Sequence, residues 1–372
     1  MSRINIIFVL LDGSRWDRID KSPEFNELVK YGTLLNNVNT AIPYTIGSVN
    51  AILSGLYGKE NGIDAYYKMF RLKDSVKVLS EVLKEEEYFT ACDLLSEKII
   101  SKRGFDVHQF HDEYKDDLTK RHPKFIKENL EKANGKPLFL FLHYTRIHTV
   151  TVSEILKKYE WNNKKFYENK EKNLINYDKT FLEAGIYSKI IQKTINDLGI
   201  LNDTILIFFA DHGTGVGERF GERNYGSFTY EETIRTYFLF IGKDIIKKRI
   251  SSSLRESVDI YPTLLELVGI QTKINGSGES FSKYLKNDQE ELNDKEYVYS
   301  ETGAIQGPYP SPMKPNVFCV KTPSHKLIYL KTIDEWKLFN LKDDPNEMNN
   351  IFNKDDELSN KLREKLITWI NR

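Results

Sequence analysis

Two acids and an imidazole stand directly after apolar runs. Asp12-Gly13 follows Ile4–Leu11 (INIIFVLL), and Asp211-His212-Gly213 follows Thr204–Ala210 (TILIFFA). A third run, Pro137–Leu142 (PLFLFL), leads into His143 and then His148. Two carboxylates and an imidazole suit a hard or borderline divalent ion such as Mn²⁺, Zn²⁺ or Mg²⁺. The stretch Ala41–Gly62 (AIPYTIGSVNAILSGLYGKENG) adds a hydroxyl, Thr45. Pro43 disfavours helix just before it, and Gly47–Leu53 reads as a short helix stopped by Gly55. Thr45 stands at the start of that helix, where free N–H groups and the helix dipole favour negative charge. A hydroxyl beside a divalent cation loses its proton more easily and can attack phosphorus. Plainer readings stand beside these: Asp-Gly after a strand is a common turn, and threonine is a common helix N-cap.

The elements that must position these groups are strands buried on both faces. The three apolar runs, with a fourth at Thr236–Ile241 (TYFLFI), read as strands of a parallel sheet. Helical segments at Ser75–Glu87, Asn173–Leu198 and Asp259–Val268 alternate with them, predicting a doubly wound α/β fold. In such a sheet ligands bind beyond the carboxyl ends of the strands, where Asp12, Asp211 and His212 all lie. Composition shifts after residue 285. Lys286–Lys295 reads as a polar linker, and Tyr297–Ser300, Val317–Lys321 and Lys326–Lys331 read as a small antiparallel sheet closed by a helix at Lys354–Ile370. The expected division is a catalytic domain over 1–285 and a smaller α+β subdomain over 286–372. Lys157–Lys172, rich in Lys, Asn and Glu, reads as a solvated helix or a lid.

Bulk properties narrow the function classes. The 372-residue chain carries 54 basic and 54 acidic side chains, which argues against a nucleic-acid partner. No apolar run approaches the roughly 18–20 residues that span a bilayer, and Ile4–Leu11 is too short for a leader. The expected location is the cytoplasm. Cys92 and Cys319 read as buried free thiols, and His108, His111 and His122 read as surface residues in a polar region.

Six ordered segments carry a resemblance. NIIFVLLDG, IPYTIGSVNAILSGLYGKENGI, FFADHGTGVGER, FTYEETIRTYFLFIG, DIYPTLLELVGI and KLFNLKDDPNEMNNI resemble, in order, the pattern of sulfatases and their alkaline-phosphatase-superfamily relatives. The resemblance implies an αβα sandwich with a mostly parallel sheet, a metal at its carboxyl edge and a smaller C-terminal sheet. It implies Asp12, Thr45, Asp211 and His212 as ligands of one divalent ion, Mn²⁺ first, with Zn²⁺, Mg²⁺ or Ca²⁺ as alternatives. His148 corresponds to a histidine that contacts the ester oxygen, hence a leaving-group acid, and His143, Arg146 and Asn50 are candidate substrate ligands.

The chain also departs from that pattern. Sulfatases carry Cys or Ser, converted to formylglycine, in a Cys/Ser-x-Pro-Ser-Arg motif; here the stretch is Thr45-Ile46-Gly47-Ser48-Val49. Threonine cannot become formylglycine. A Thr nucleophile looks more like the phosphoglycerol and phosphoethanolamine transferases, phosphodiesterases and phosphonate hydrolases. The leading expectation is therefore hydrolysis or transfer of a small-molecule or glycan-linked phosphate ester through phospho-threonine. A sulfate ester hydrolase lacking formylglycine and a catalytically silent binding protein are the alternatives.

Overall fold

A computed structural model describes residues 4–68, 71–151, 157, 159–271 and 276–372. Nine strands form the main sheet: β1 (Asn5–Leu11), β2 (Gly32–Asn39), β3 (Phe89–Leu94), β4 (Val107–Phe110), β5 (Leu138–Tyr144), β6 (Thr204–Phe209), β7 (Arg235–Gly242), β8 (Arg249–Ser251) and β9 (Arg255–Glu256). Their order is β4-β3-β5-β1-β6-β7-β2-β8, with β9 paired to β2. All pairs are parallel except those of β7, which runs antiparallel to both β6 and β2. The sheet is thus mixed but mostly parallel, as the resemblance implies, with β7 the strand of opposite direction.

The central strands are apolar throughout because both faces are covered. Alternate residues of β1 enter different cores: Ile6, Phe8 and Leu10 on one side, Ile7, Val9 and Leu11 on the other. The first core is closed by helices Thr45–Ser54, Leu79–Glu85 and Ile260–Leu267. The second is closed by Pro23–Val29, Leu118–Ala133 and the long helix Lys170–Asp197. This is the three-layer αβα arrangement. The Lys157–Lys172 segment falls partly outside the described residues, and its later part forms helix Lys164–Glu168 and the first turn of Lys170–Asp197.

A second, antiparallel sheet runs in the order β10 (Val298–Thr302), β11 (Val317–Lys321), β12 (His325–Leu330), β13 (Glu335–Asn340). One of its faces packs on helix Glu357–Asn371 and on Ala41, Ile42, Tyr44 and Ala51, the segment that carries Thr45. Buried ion pairs fasten it as well: Lys321 and Lys326 to Glu231 at 2.8 and 3.2 Å, and Lys326 to Glu347 at 2.6 Å. Cys92 and Cys319 are free and buried. Among the described residues no helix is long and apolar enough to cross a membrane.

Candidate metal and nucleophile site

Strand register brings the site together. Leu10 pairs with His143 of β5 on one side and with Phe209 of β6 on the other. Asp12 and Asp211, each two residues further on, therefore emerge side by side at the carboxyl edge. One donor atom from each of Asp12, Asp211 and His212 lies within 4.8 Å of the others, and all three residues are buried. His212 Nε2 is 3.4 Å from Asp211 Oδ2 and 3.7 Å from Asp12 Oδ1. His212 Nδ1 sits 2.8 Å from the carbonyl of Gly213, so a proton held there leaves the Nε2 lone pair facing the carboxylates.

Gly13 makes the turn possible. It has φ +71°, donates its N–H to Asp211 Oδ1 at 3.2 Å, and accepts from Thr214 Oγ1 at 2.7 Å. A Cβ there would stand 2.8 Å from that same Thr214 oxygen.

Thr45 is the first residue of its helix, and Tyr44 occupies the cap position, so threonine's hydroxyl is released from capping. Its Oγ1 lies 3.3 Å from His212 Nε2 and 3.4 and 3.5 Å from the two Asp12 oxygens. The helix is fixed against β6 by Ser48, whose hydroxyl donates to the Asp211 carbonyl at 2.7 Å, and it ends at Gly55 in the left-handed conformation.

The electrostatics fit a cation. Burial works against charge on Asp12, yet His148 and His143 together hold its carboxyl well below the usual range. Burial pushes Asp211 up; His212 opposes this and the charge on Asp12 reinforces it. Asp211 Oδ2 is buried with no hydrogen-bond partner. A second buried carboxylate, one oxygen unsatisfied, beside an ionised first one is an arrangement that a divalent ion relieves. Asp12, Asp211, His212 and the Thr45 hydroxyl are the groups that would hold it.

The remaining candidates fall in different places. His148 stands at the rim, its Nδ1 3.6 Å from Asp12 Oδ1 and 3.3 Å from the Tyr225 hydroxyl. His143 is fully buried, with Nε2 2.9 Å from Asp12 Oδ2 and Nδ1 3.4 Å from the Leu95 N–H. It orients Asp12 and has no surface left for substrate, which corrects the substrate-ligand expectation. Asn50 is also displaced from that role. Five residues past Thr45 is about 140° around a helix at 100° per residue, so its amide turns away and donates to Ile46 O and Ile99 O at 2.7 and 3.1 Å. Arg146 is exposed and paired with Glu183 at 3.1 Å.

Sequence reasoning missed Tyr225, whose ring lies over His212 at 4.2 Å between centroids. It also misplaced two histidines. His111 and His122 are buried, not on the surface, and burial pushes the His122 imidazole down to about 3. The signal was present: Leu118, His122, Phe125, Ile126, Asn129 and Ala133 are the buried stripe of one amphipathic helix. His108 is half-buried between Phe105 and Phe110.

Comparison with known proteins finds a family match over most of the chain. A family model described as Sulfatase matches residues 4–270, and one described as N-sulphoglucosamine sulphohydrolase, C-terminal, matches residues 221–372. The chain is 31% identical over 167 residues to N-acetylglucosamine-6-O-sulfatase of Bacteroides thetaiotaomicron, covering 43% of this chain and 28% of that protein. It spans about a third of the length of curated relatives of this kind. Among solved structures, a 2-O GAG sulfatase superposes with a TM-score of 0.80 at 16% identity, covering 99% of this chain and 91% of the other. The phosphonate monoester hydrolase of Agrobacterium radiobacter superposes with a TM-score of 0.77 at 12% identity, covering 99% and 96%. At such identities these two structures speak to the fold.

Proposed function

Since the chain belongs to the sulfatase family, we propose that it is a metal-dependent hydrolase of a sulfate ester on a small molecule or glycan, with Thr45 in the nucleophile's place. One observation carries this reading: the Thr45 hydroxyl lies 3.3–3.5 Å from His212 and Asp12, at the edge where two acids and an imidazole converge. The relatives move sulfate ahead of the phosphoric ester that the threonine alone favours. A divalent ion bound by Asp12, Asp211 and His212, Mn²⁺ being the first to test, would supply Lewis-acid polarisation and ease ionisation of the hydroxyl. Asp12 faces the Thr45 proton, His212 orients the oxygen, and His148 at the rim donates a proton to the departing alcohol. The residues of this machinery all lie within 1–285, the catalytic unit of the proposal, while 286–372 supports the Thr45 segment from beneath.

A second reading, hydrolysis or transfer of a phosphonate or phosphate ester, is favoured by the nucleophile itself. Threonine Cβ bears one hydroxyl and a methyl, so a sulfated Thr45 cannot expel sulfate from a second hydroxyl on the same carbon. In the first reading water must attack sulfur, the new O–S bond forming as the Oγ–S bond breaks and the water proton returning to Thr45. A phosphorylated Thr45 is cleared by a second displacement: water or an acceptor alcohol forms the new O–P bond, the Oγ–P bond breaks, and the attacking oxygen's proton returns to Thr45 through a neighbouring base. The fold shared with a phosphonate monoester hydrolase suits this chemistry.

The test is a substrate panel of aryl sulfate, aryl phosphonate monoester and bis-aryl phosphodiester, with wild type, Thr45→Ser and Thr45→Ala, before and after chelation. Sulfate turnover that chelation and Thr45→Ala abolish supports the first reading. Phosphonate or phosphodiester turnover with the same sensitivities supports the second. Full activity in Thr45→Ala, or no turnover by metal-loaded wild type, removes both.

A further inference from the structure

A second group of titratable side chains lies apart from the Thr45 site. Asp93 is the penultimate residue of β3, His111 follows β4, and His122 comes from helix Leu118–Ala133; their exposures are 0%, 4% and 0%. Asp93 Oδ1 is 3.3 Å from His111 Nδ1, and Asp93 Oδ2 is 3.7 Å from His122 Nε2. One donor atom from each of the three lies within 4.8 Å of the others. The outer nitrogen of each ring meets a hydroxyl: His111 Nε2 at 3.4 Å from Thr145 Oγ1, His122 Nδ1 at 2.5 Å from Tyr187 Oη. Imidazoles whose outer N–H groups donate to those hydroxyls present both inner lone pairs toward the carboxylate, the arrangement of metal-ligating histidines. His122 Nε2 is buried and has no hydrogen-bond partner.

We propose that Asp93, His111 and His122 form a second metal site for an ion of the Zn²⁺ class, additional to the single ion implied by the sequence. Two nitrogens and one carboxylate oxygen suit Zn²⁺. Bond lengths of about 2.0–2.1 Å place tetrahedral ligands about 3.3 Å apart, close to the separations here. Arg121 donates to both Asp93 oxygens, at 2.6 and 3.3 Å, and keeps the carboxylate charged and aligned from outside. The ion would brace the carboxyl end of β5. Thr145 directly follows that strand, and the His111 ring centroid is 6.2 Å from that of His143, which holds Asp12.

The test is metal stoichiometry by mass spectrometry after Zn²⁺ loading and desalting, with Co²⁺ substitution read by visible absorption. Wild type is expected to hold two equivalents. Asp211→Asn, His122→Asn and His111→Gln should each hold one; the amides keep the hydroxyl-facing positions of the rings they replace, and His111→Gln serves if His122→Asn does not fold. Asp211→Asn loaded with Co²⁺ should show the intense band of a tetrahedral site, absent from the Asp211→Asn/His122→Asn double variant. If the histidine variants retain every equivalent that wild type binds, the inference is overturned and Arg121 alone balances Asp93. A single wild-type equivalent, kept in Asp211→Asn and lost in His122→Asn, leaves this site standing and removes the cation from the proposed function.

Discussion

Glu301, in β10, lies beneath the segment that leads into Thr45. Its N–H donates to the Ala41 carbonyl at 3.0 Å, and its carboxylate accepts the Lys59 N–H at 3.2 Å. Burial first, and then the charge of Asp64, push this carboxyl up to about 8, against the opposing pull of Lys59. In the unfolded chain a glutamate ionises near 4.3. Between those two values the folded state holds a proton that the unfolded state has released, so stability falls as pH rises. The slope is about 1.4 kcal/mol per pH unit for this group, which comes to about 5 kcal/mol across the window. Glutamine copies the protonated form and does not titrate. Wild type and Glu301→Gln should therefore have similar urea midpoints at pH 5, and the variant should gain steadily to pH 8, with equal denaturant slopes. A constant offset between the two curves from pH 5 to 8 would refute the reasoning.

Further outcomes follow from the site. Thr45→Ala should lower turnover on the order of a thousandfold or more, while Thr45→Ser, which keeps the hydroxyl, should retain much of it; steady-state kinetics on the active substrate decides. Gly13→Ala should lose about 2–3 kcal/mol in chemical denaturation, from the left-handed backbone and from displacing the Thr214 hydroxyl that bonds to Gly13 O. His143→Phe removes the partner of Asp12 Oδ2, so stability should fall by about 1.5–3 kcal/mol and divalent-ion affinity by roughly 10–100-fold, the latter read by calorimetry.

The parts legible in the sequence were those where burial is complete. β1, β5 and β6 are apolar on both faces, so their runs mark themselves, and their carboxyl ends locate Asp12, Asp211 and His212. Elements of mixed polarity were not legible. β2 (GTLLNNVN) contains a register shift between Leu35 and Val38 that breaks its pattern, whereas β13 (EWKLFN) alternates polar with apolar groups over only six residues, a strand signal too short to stand out. Thr45 stood out as a hydroxyl beside a cation, with capping as the plainer reading, since the sequence does not show that Tyr44 takes the cap. Asn50 and His143 were misassigned for a shared reason. Proximity along the chain says little about direction: the helix turns Asn50 away from the site, and the pleat drives His143 inward onto Asp12. His111 and His122 were hidden by charged chain neighbours: Asp112 and Glu113 follow His111 in the connection after β4, and Arg121 precedes His122 on its helix.

The central claim concerns a cation held where three strand-end ligands meet a threonine hydroxyl. Anomalous diffraction from crystals grown with Mn²⁺ tests it directly. The account predicts a peak within bonding distance of Asp12, Asp211 and His212 with the Thr45 oxygen at its edge. Strong Mn²⁺ peaks elsewhere, with only protein hydrogen bonds among those four side chains, would contradict it.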